Sequence, residues 1–139
     1  MIRASRCGYP YCWARPVAGT IISAMSVSVL IVDDHPSFRA SARMLLESEG
    51  YDVVGEAADG AGALLEVERL SPDVVLLDIG LPDLDGFEVT NRLAGNGPAV
   101  VLTSSREGCD YGTLAEGSGA RGFITKSELS GSALRALLP

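Results

Sequence analysis

Histidine is nearly missing from this chain: His35 is the only one in 139 residues, beside a single tryptophan and three cysteines. Cys7, Cys12 and Cys109 are too few, and odd in number, for a disulfide framework, and read as thiols of a reducing cytosol. With one imidazole available, four zinc ligands at a recognisable spacing cannot be assembled, so the thiols are read as unliganded. No apolar run approaches the roughly 20 residues that a membrane-spanning helix needs. No G-x-G-x-x-G follows the first apolar run and there is no G-x-x-x-x-G-K, which removes the dinucleotide and P-loop readings. Basic residues are scarce too: 11 Lys+Arg stand against 18 Asp+Glu, a formal charge of −7. Arg3, Arg6 and Arg15 all lie in the first 25 residues, which hold no acid, so the remainder carries −10. Without a basic face to neutralise phosphates, direct nucleic-acid binding is not expected. The acidic balance suits a cation site or a basic partner.

What is present is enough for one core. The chain is 47% hydrophobic, which suffices for one well-packed domain and is too short for two ordinary ones. Residues 1–25 show neither helical nor alternating periodicity and contain two prolines, so they are expected to form an unstructured extension, with the folded domain over 26–139. The arginines followed by Val17 to Met25 faintly resemble a signal peptide, but the apolar part is short, broken by Gly19, Thr20 and Ser23, and runs directly into a core strand. Met25 offers an alternative start.

From Ser26 onward strand-like and helix-like segments alternate. Val27–Val32 is expected as a first strand. Pro36 opens a helix to about Glu49, with Phe38, Ala42, Leu45 and Leu46 on one face and Gly50 as its stop. Asp52–Ala57 is a second strand, and Asp59 caps a helix through Leu64, Val67 and Leu70 that Pro72 halts. Val74–Leu77 is a third strand, followed by a short helix from about Gly86 to Ala94. Ala99–Leu102 is a fourth. A glycine-rich helix over about 110–118 is the weakest element, since each internal glycine costs about 1 kcal/mol relative to alanine. This stretch is read as disordered until phosphorylation or a partner orders it, and Cys109 and Tyr111 as ordinary residues beside it. Gly122–Thr125 is a fifth strand, and Ser130 caps a last helix. Strict alternation implies a parallel sheet with right-handed crossovers and helices on both faces.

The chemistry lies just past the strands. Asp33-Asp34 follow the first, Asp78 the third, Thr103 the fourth and Lys126 the fifth. In an open parallel sheet the C-terminal strand edge is where the crevice forms. Three carboxylates converging there raise one another's pKa and call for a cation. Hard carboxylate oxygens suit Mg²⁺, Thr103 offers a hydroxyl, and Lys126 a charge that can pair with a carboxylate or a phosphoryl group on it. The plain readings stand beside these: a solvated turn for Asp33-Asp34, backbone satisfaction for Thr103, a helix-start residue rather than a ligand for His35, loop and helix-start acids for Asp83 and Asp85.

The segments LIVDDHPSFR, VVGEAADG, VVLLDIGLPDLDG, AVVLTSS and GARGFITKSEL, covering about residues 27–138, resemble the receiver domain of bacterial two-component response regulators. The resemblance implies a flavodoxin-like, doubly wound fold of strand order 2-1-3-4-5, with Asp78 accepting a phosphoryl group from a histidine kinase or phosphotransfer protein. It further implies Mg²⁺ bound by Asp34, Asp78 and the backbone carbonyl of Gly80, with Asp33 acting largely through water, and Lys126 contacting the phosphoryl oxygen. Thr103 and Phe123 would be the switch pair, and Pro82 and Gly86 shape the loop that projects Asp78. Gly80 departs from many receivers by offering no side-chain shield, so easy water access and a short-lived phosphoryl state are expected. Ser127 stands where many receivers have proline.

Asp33 to Gly60 and GFITKSEL resemble receivers that usually precede a helix-turn-helix DNA-binding domain. None follows within this chain, so direct transcriptional control is not expected of it, and a stand-alone receiver, a remnant and a truncated form all fit. A cytoplasmic signalling domain, a homodimer included, is the expectation. The competing readings are a degenerate interaction module that is not phosphorylated, and an aspartyl-phosphate phosphatase. The second needs an acid two residues after its nucleophile, where this chain has Gly80.

Overall fold

The computed structural model describes residues 26–93, 97–105 and 119–138. The expected extension over 1–25, the expected helix over about 110–118 and the end of the Gly86 helix at Ala94 lie outside the described residues. The elements are β1 (Ser28–Val32), α1 (Pro36–Ser48), β2 (Asp52–Ala57), α2 (Gly60–Leu70), β3 (Val74–Asp78), α3 (Gly86–Leu93), β4 (Ala99–Ser104), β5 (Gly122–Thr125), a 3-10 turn at Lys126–Glu128 and α4 (Gly131–Ala136). The strands form one sheet of order β2-β1-β3-β4-β5, and every pairing is parallel. This is the doubly wound, flavodoxin-like order that the family resemblance implies; alternation by itself leaves the order open.

Strand periodicity divides the core in two. Leu30, Val32, Val75, Leu77, Val100 and Leu102 face one side, where they meet Ala63 of α2 and Val89 and Leu93 of α3. Val29, Ile31, Val74, Leu76, Val101 and Ile124 face the other, against Ala42 and Leu46 of α1 and Leu134 of α4. Both faces of β3 are therefore covered, which is why Val74–Leu77 reads as an unbroken apolar run and is at most 2% exposed. Each aliphatic side chain fully buried in this way contributes roughly 1.5–3 kcal/mol relative to exposure.

Local signals place the helix ends. Pro36 stands in the first turn of α1, and Gly50, at φ +95°, takes the left-handed turn that follows it. The Asp59 carboxylate accepts from Gly62 N at 2.7 Å, and the Ser130 hydroxyl from Ala133 N at 3.0 Å. Ser71 closes α2 with φ 48°, its amide donating to Val67 O at 2.9 Å. The α1–β2 corner also holds α4 in place. Tyr51 donates its hydroxyl to Gly131 O at 2.8 Å, and Glu49 accepts from Gly131 N at 3.0 Å.

Two strands run further than their apolar residues suggest. β3 continues through Asp78 and β4 through Ser104, because Asp78 pairs in register with Thr103. β1 starts at Ser28 rather than Val27.

Candidate functional site

Parallel strands deliver their C-terminal ends to one edge, and the five polar residues read from the sequence gather there. Asp33 is fully buried, Asp78 is 5% exposed and Thr103 1%. Lys126 Nζ lies 2.5 Å from Asp33 Oδ2 and 3.7 Å from Asp78 Oδ2, over the Phe38 ring at 4.7 Å from its centroid. Asp33, Asp34 and Asp78, together with His35, each present one ligand atom, and these atoms all lie within 4.8 Å of one another. Thr103 sits across from Asp78, and its carbonyl accepts from Ile79 N at 3.0 Å. Gly80 donates its amide to Asp78 Oδ1 at 3.2 Å, and a Cβ built on it meets nothing within 4 Å. Phe123 is half-buried on β5, in register with Leu102 and packed on the α2–α3 side of the core.

His35 is at the start of α1, as its plain reading has it, yet its ring turns back onto the acids. Nδ1 lies 3.0 Å from Asp33 Oδ1 and 3.1 Å from Asp34 Oδ1. The buried oxygens Asp33 Oδ2, Asp34 Oδ1 and Thr103 Oγ1 have no hydrogen-bond partner among the described residues. For Asp33 Oδ2 this sits beside the short contact to Lys126, which is an ion pair by distance without hydrogen-bond geometry. Buried polar atoms left in this condition are costly and call for a ligand or water.

The charge balance shows in Asp78. Burial raises its pKa above the ordinary 3.8, and the neighbouring Asp33 adds to the rise; the Gly80 amide and Lys126 oppose it, and Asp34 adds to it again.

Three supports around the acids were not legible in the sequence. Arg39 Nη1 donates to the carbonyl of Asp33 at 2.6 Å, while its Nε donates to Glu56 at 3.0 Å. Arg43 donates to the other Glu56 oxygen at 2.7 Å, and these bonds, Arg43's first, hold the Glu56 carboxyl below its usual range. Asp83 reaches back 23 residues in sequence to accept from Gly60 N at 2.7 Å and from Ala61 N at 2.9 Å. The loop after β3 is thereby tied to the N-terminus of α2, whose orphan amides a carboxylate satisfies. Gly86 closes the loop from the other side. A Cβ there would meet Ile79 Cα at 2.7 Å and Asp78 O at 2.8 Å. Asp85, the expected helix-start acid, accepts from Phe87 N at 2.7 Å and Glu88 N at 3.1 Å. At the opposite edge of the sheet a groove of about 870 Å³ is lined by Val27, Pro72, Asp73, Pro98 and Arg121, away from this chemistry.

Comparison with known proteins agrees with this geometry. A family model described as the response regulator receiver domain matches residues 29–138. The chain is 42% identical over 103 residues to the virulence-factor transcription regulator BvgA of Bordetella pertussis, covering 72% of this chain and 49% of that protein. It is 32% identical over 104 residues to the DNA-binding transcriptional activator EvgA of Escherichia coli, covering 73% and 51%. The chain thus spans about half the length of the curated relatives it matches. The receiver domain of NarL from Mycobacterium tuberculosis superposes with a TM-score of 0.72 at 34% identity, covering 81% of this chain and 96% of that one.

Two expected outcomes test the site. Gly86→Ala should lower stability by about 1–3 kcal/mol in urea unfolding, since backbone rather than a flexible side chain meets the added methyl. Because the folded protein holds the Asp78 proton more tightly than the unfolded chain, without divalent ions stability should fall as pH rises from about 3.8 through the raised Asp78 pKa. Urea unfolding of Asp78→Asn, followed against pH, should lack that part of the decline.

Proposed function

The chain belongs to the response regulator receiver family, and on that premise we propose that Asp78 is the side chain that takes the phosphoryl group. A receiver is a phosphoacceptor signalling domain of two-component systems. The observation that carries the assignment to Asp78 is its position: a buried carboxylate at a strand end, 3.7 Å from Lys126 Nζ and inside the acid cluster. Residues 26–139 are read as the receiver domain.

The donor set fits Mg²⁺. Asp34, Asp78 and the carbonyl of Gly80 would hold it, with Asp33 acting largely through water, and the partnerless buried oxygens of Asp33 and Asp34 give the ion something to satisfy. When bound, Mg²⁺ supplies positive charge against phosphoryl oxygens.

The remaining work falls to the chain. An Asp78 oxygen attacks phosphorus in line; a P–O bond forms as the P–N bond to the donor's phosphohistidine breaks, and the departing imidazole takes a proton. Lys126, near both Asp33 and Asp78, is placed to exchange part of its contact with Asp33 for the new phosphoryl oxygens. At ~4 Å and an effective dielectric near 20 such a pairing is worth ~4 kcal/mol before desolvation. Thr103 donates its hydroxyl to the phosphoryl group, and Phe123 on the neighbouring strand follows as its switch partner. The domain catalyses only its own phosphorylation and the later hydrolysis of the acyl phosphate.

A histidine kinase or phosphotransfer protein is the donor. The curated relatives are transcription regulators, and the matched region is about half of each, so the phosphorylated state serves an output carried by the rest of a longer protein or by a separate chain. We assign the domain to the cytosol from its place in two-component signalling; separately, no described helix is long and apolar enough to cross a membrane.

Incubation with acetyl phosphate and Mg²⁺ should add one phosphoryl group by intact mass, and Asp78→Asn should add none. An unmodified wild-type protein that still binds Mg²⁺ would mark an interaction module instead. Gly80→Arg, tolerated by the open space at that position, should lengthen the lifetime of the aspartyl phosphate several-fold by screening it from water; an unchanged or shorter lifetime would reject the shielding argument.

A further inference from the structure

We propose that His35 adds a nitrogen ligand to the acid cluster, so that the same site takes borderline divalent ions such as Zn²⁺ or Co²⁺ with the imidazole coordinated. The inference rests on the metal-site reading above and extends it to a ligand and a class of ion that an all-oxygen Mg²⁺ site does not include.

The geometry carries it. His35 is 65% exposed, yet its Nδ1 faces inward, 3.0 Å from Asp33 Oδ1 and 3.1 Å from Asp34 Oδ1. Around an ion with bonds of about 2.1 Å, adjacent octahedral donors are about 3.0 Å apart, so the 3.1 Å between Nδ1 and Asp34 Oδ1 matches a coordination edge. A hydrogen-bonded Nδ1–H gives the same distances; the two arrangements differ in whether a proton or a metal occupies the nitrogen lone pair. Asp33 Oδ1 already accepts the backbone amide of His35 at 2.8 Å, which leaves the ring bond redundant for that oxygen. Asp34 Oδ1 is buried without a hydrogen-bond partner, as is suitable for a ligand atom. The remaining ring nitrogen belongs to a side chain open to water, so an ion can enter and the proton on that nitrogen needs no protein acceptor. One ring nitrogen of His35 and one oxygen each of Asp33, Asp34 and Asp78 all lie within 4.8 Å of one another. Imidazole with carboxylate favours Zn²⁺, Co²⁺ and Ni²⁺ over Mg²⁺, whose preference is for oxygen alone.

Because His35 is the only histidine, long-range ¹H–¹⁵N spectra of the untagged full chain show one imidazole. Zn²⁺ should shift its Nδ1 resonance together with the amides of Asp34 and Asp78, which separates this site from the cysteine thiols. In calorimetry His35→Ala should weaken Zn²⁺ binding at this site about tenfold or more while changing Mg²⁺ affinity about twofold or less. If Mg²⁺ perturbs the amides of Asp34 and Asp78 but Zn²⁺ leaves Nδ1 in place, His35 is not a ligand. If Mg²⁺ perturbs neither amide, the metal-site reading falls, and this inference with it.

Discussion

Everything at the functional edge depends on holding three carboxylates together without letting their repulsion open the sheet. Asp33, fully buried, meets Lys126 at 2.5 Å, and breaking such a pair from one side would leave a buried charge uncompensated. Lys126 comes from just past β5 and Asp33 from just past β1, so the pair spans the width of three strand positions. It is a tie across the crevice, and Phe38 of α1 covers it from the helix side. Asp78, further from the ammonium, has its pKa raised first by burial and next by the neighbouring Asp33. A cation bound there would offset both.

The acids are also fixed from behind. Arg39 holds the Asp33 carbonyl and is itself oriented by Glu56, which shares its second oxygen with Arg43. Asp83 and Gly86 set the path of the loop after β3, one through hydrogen bonds to α2 and the other by admitting backbone-to-backbone contact. Side chains that carry chemistry are therefore positioned by residues that have none, which is how a site on loops keeps the precision of a site on strands.

The sequence made the scaffold and the acids legible for one reason: buried parallel strands announce themselves as apolar runs, and a run that ends on aspartate places that aspartate. Asp52–Ala57 and Gly122–Thr125 match the observed strands, and Asp59 and Ser130 cap their helices as expected. Thr103 and Ser104 extend β4 beyond its apolar run, and polar residues at a strand end carry no hydrophobic signal; pairing with Asp78 and Thr125 is what extends the ladder. Arg39, Asp83 and the inward turn of His35 were not legible, since each is decided by where a distant element packs. Asp83 looks like any loop acid until α2 is seen to begin beside it.

Stiffness is unevenly shared around the crevice. The jaw built from β1, β3 and α2 is pinned by Arg39, Asp83 and the Gly86 contact. On the opposite jaw the buried hydroxyls of Thr103 and Thr125 have no hydrogen-bond partner among the described residues. A hydroxyl with no bond to break meets a new acceptor by rotation alone, and that of Thr103 belongs to the residue directly across from Asp78.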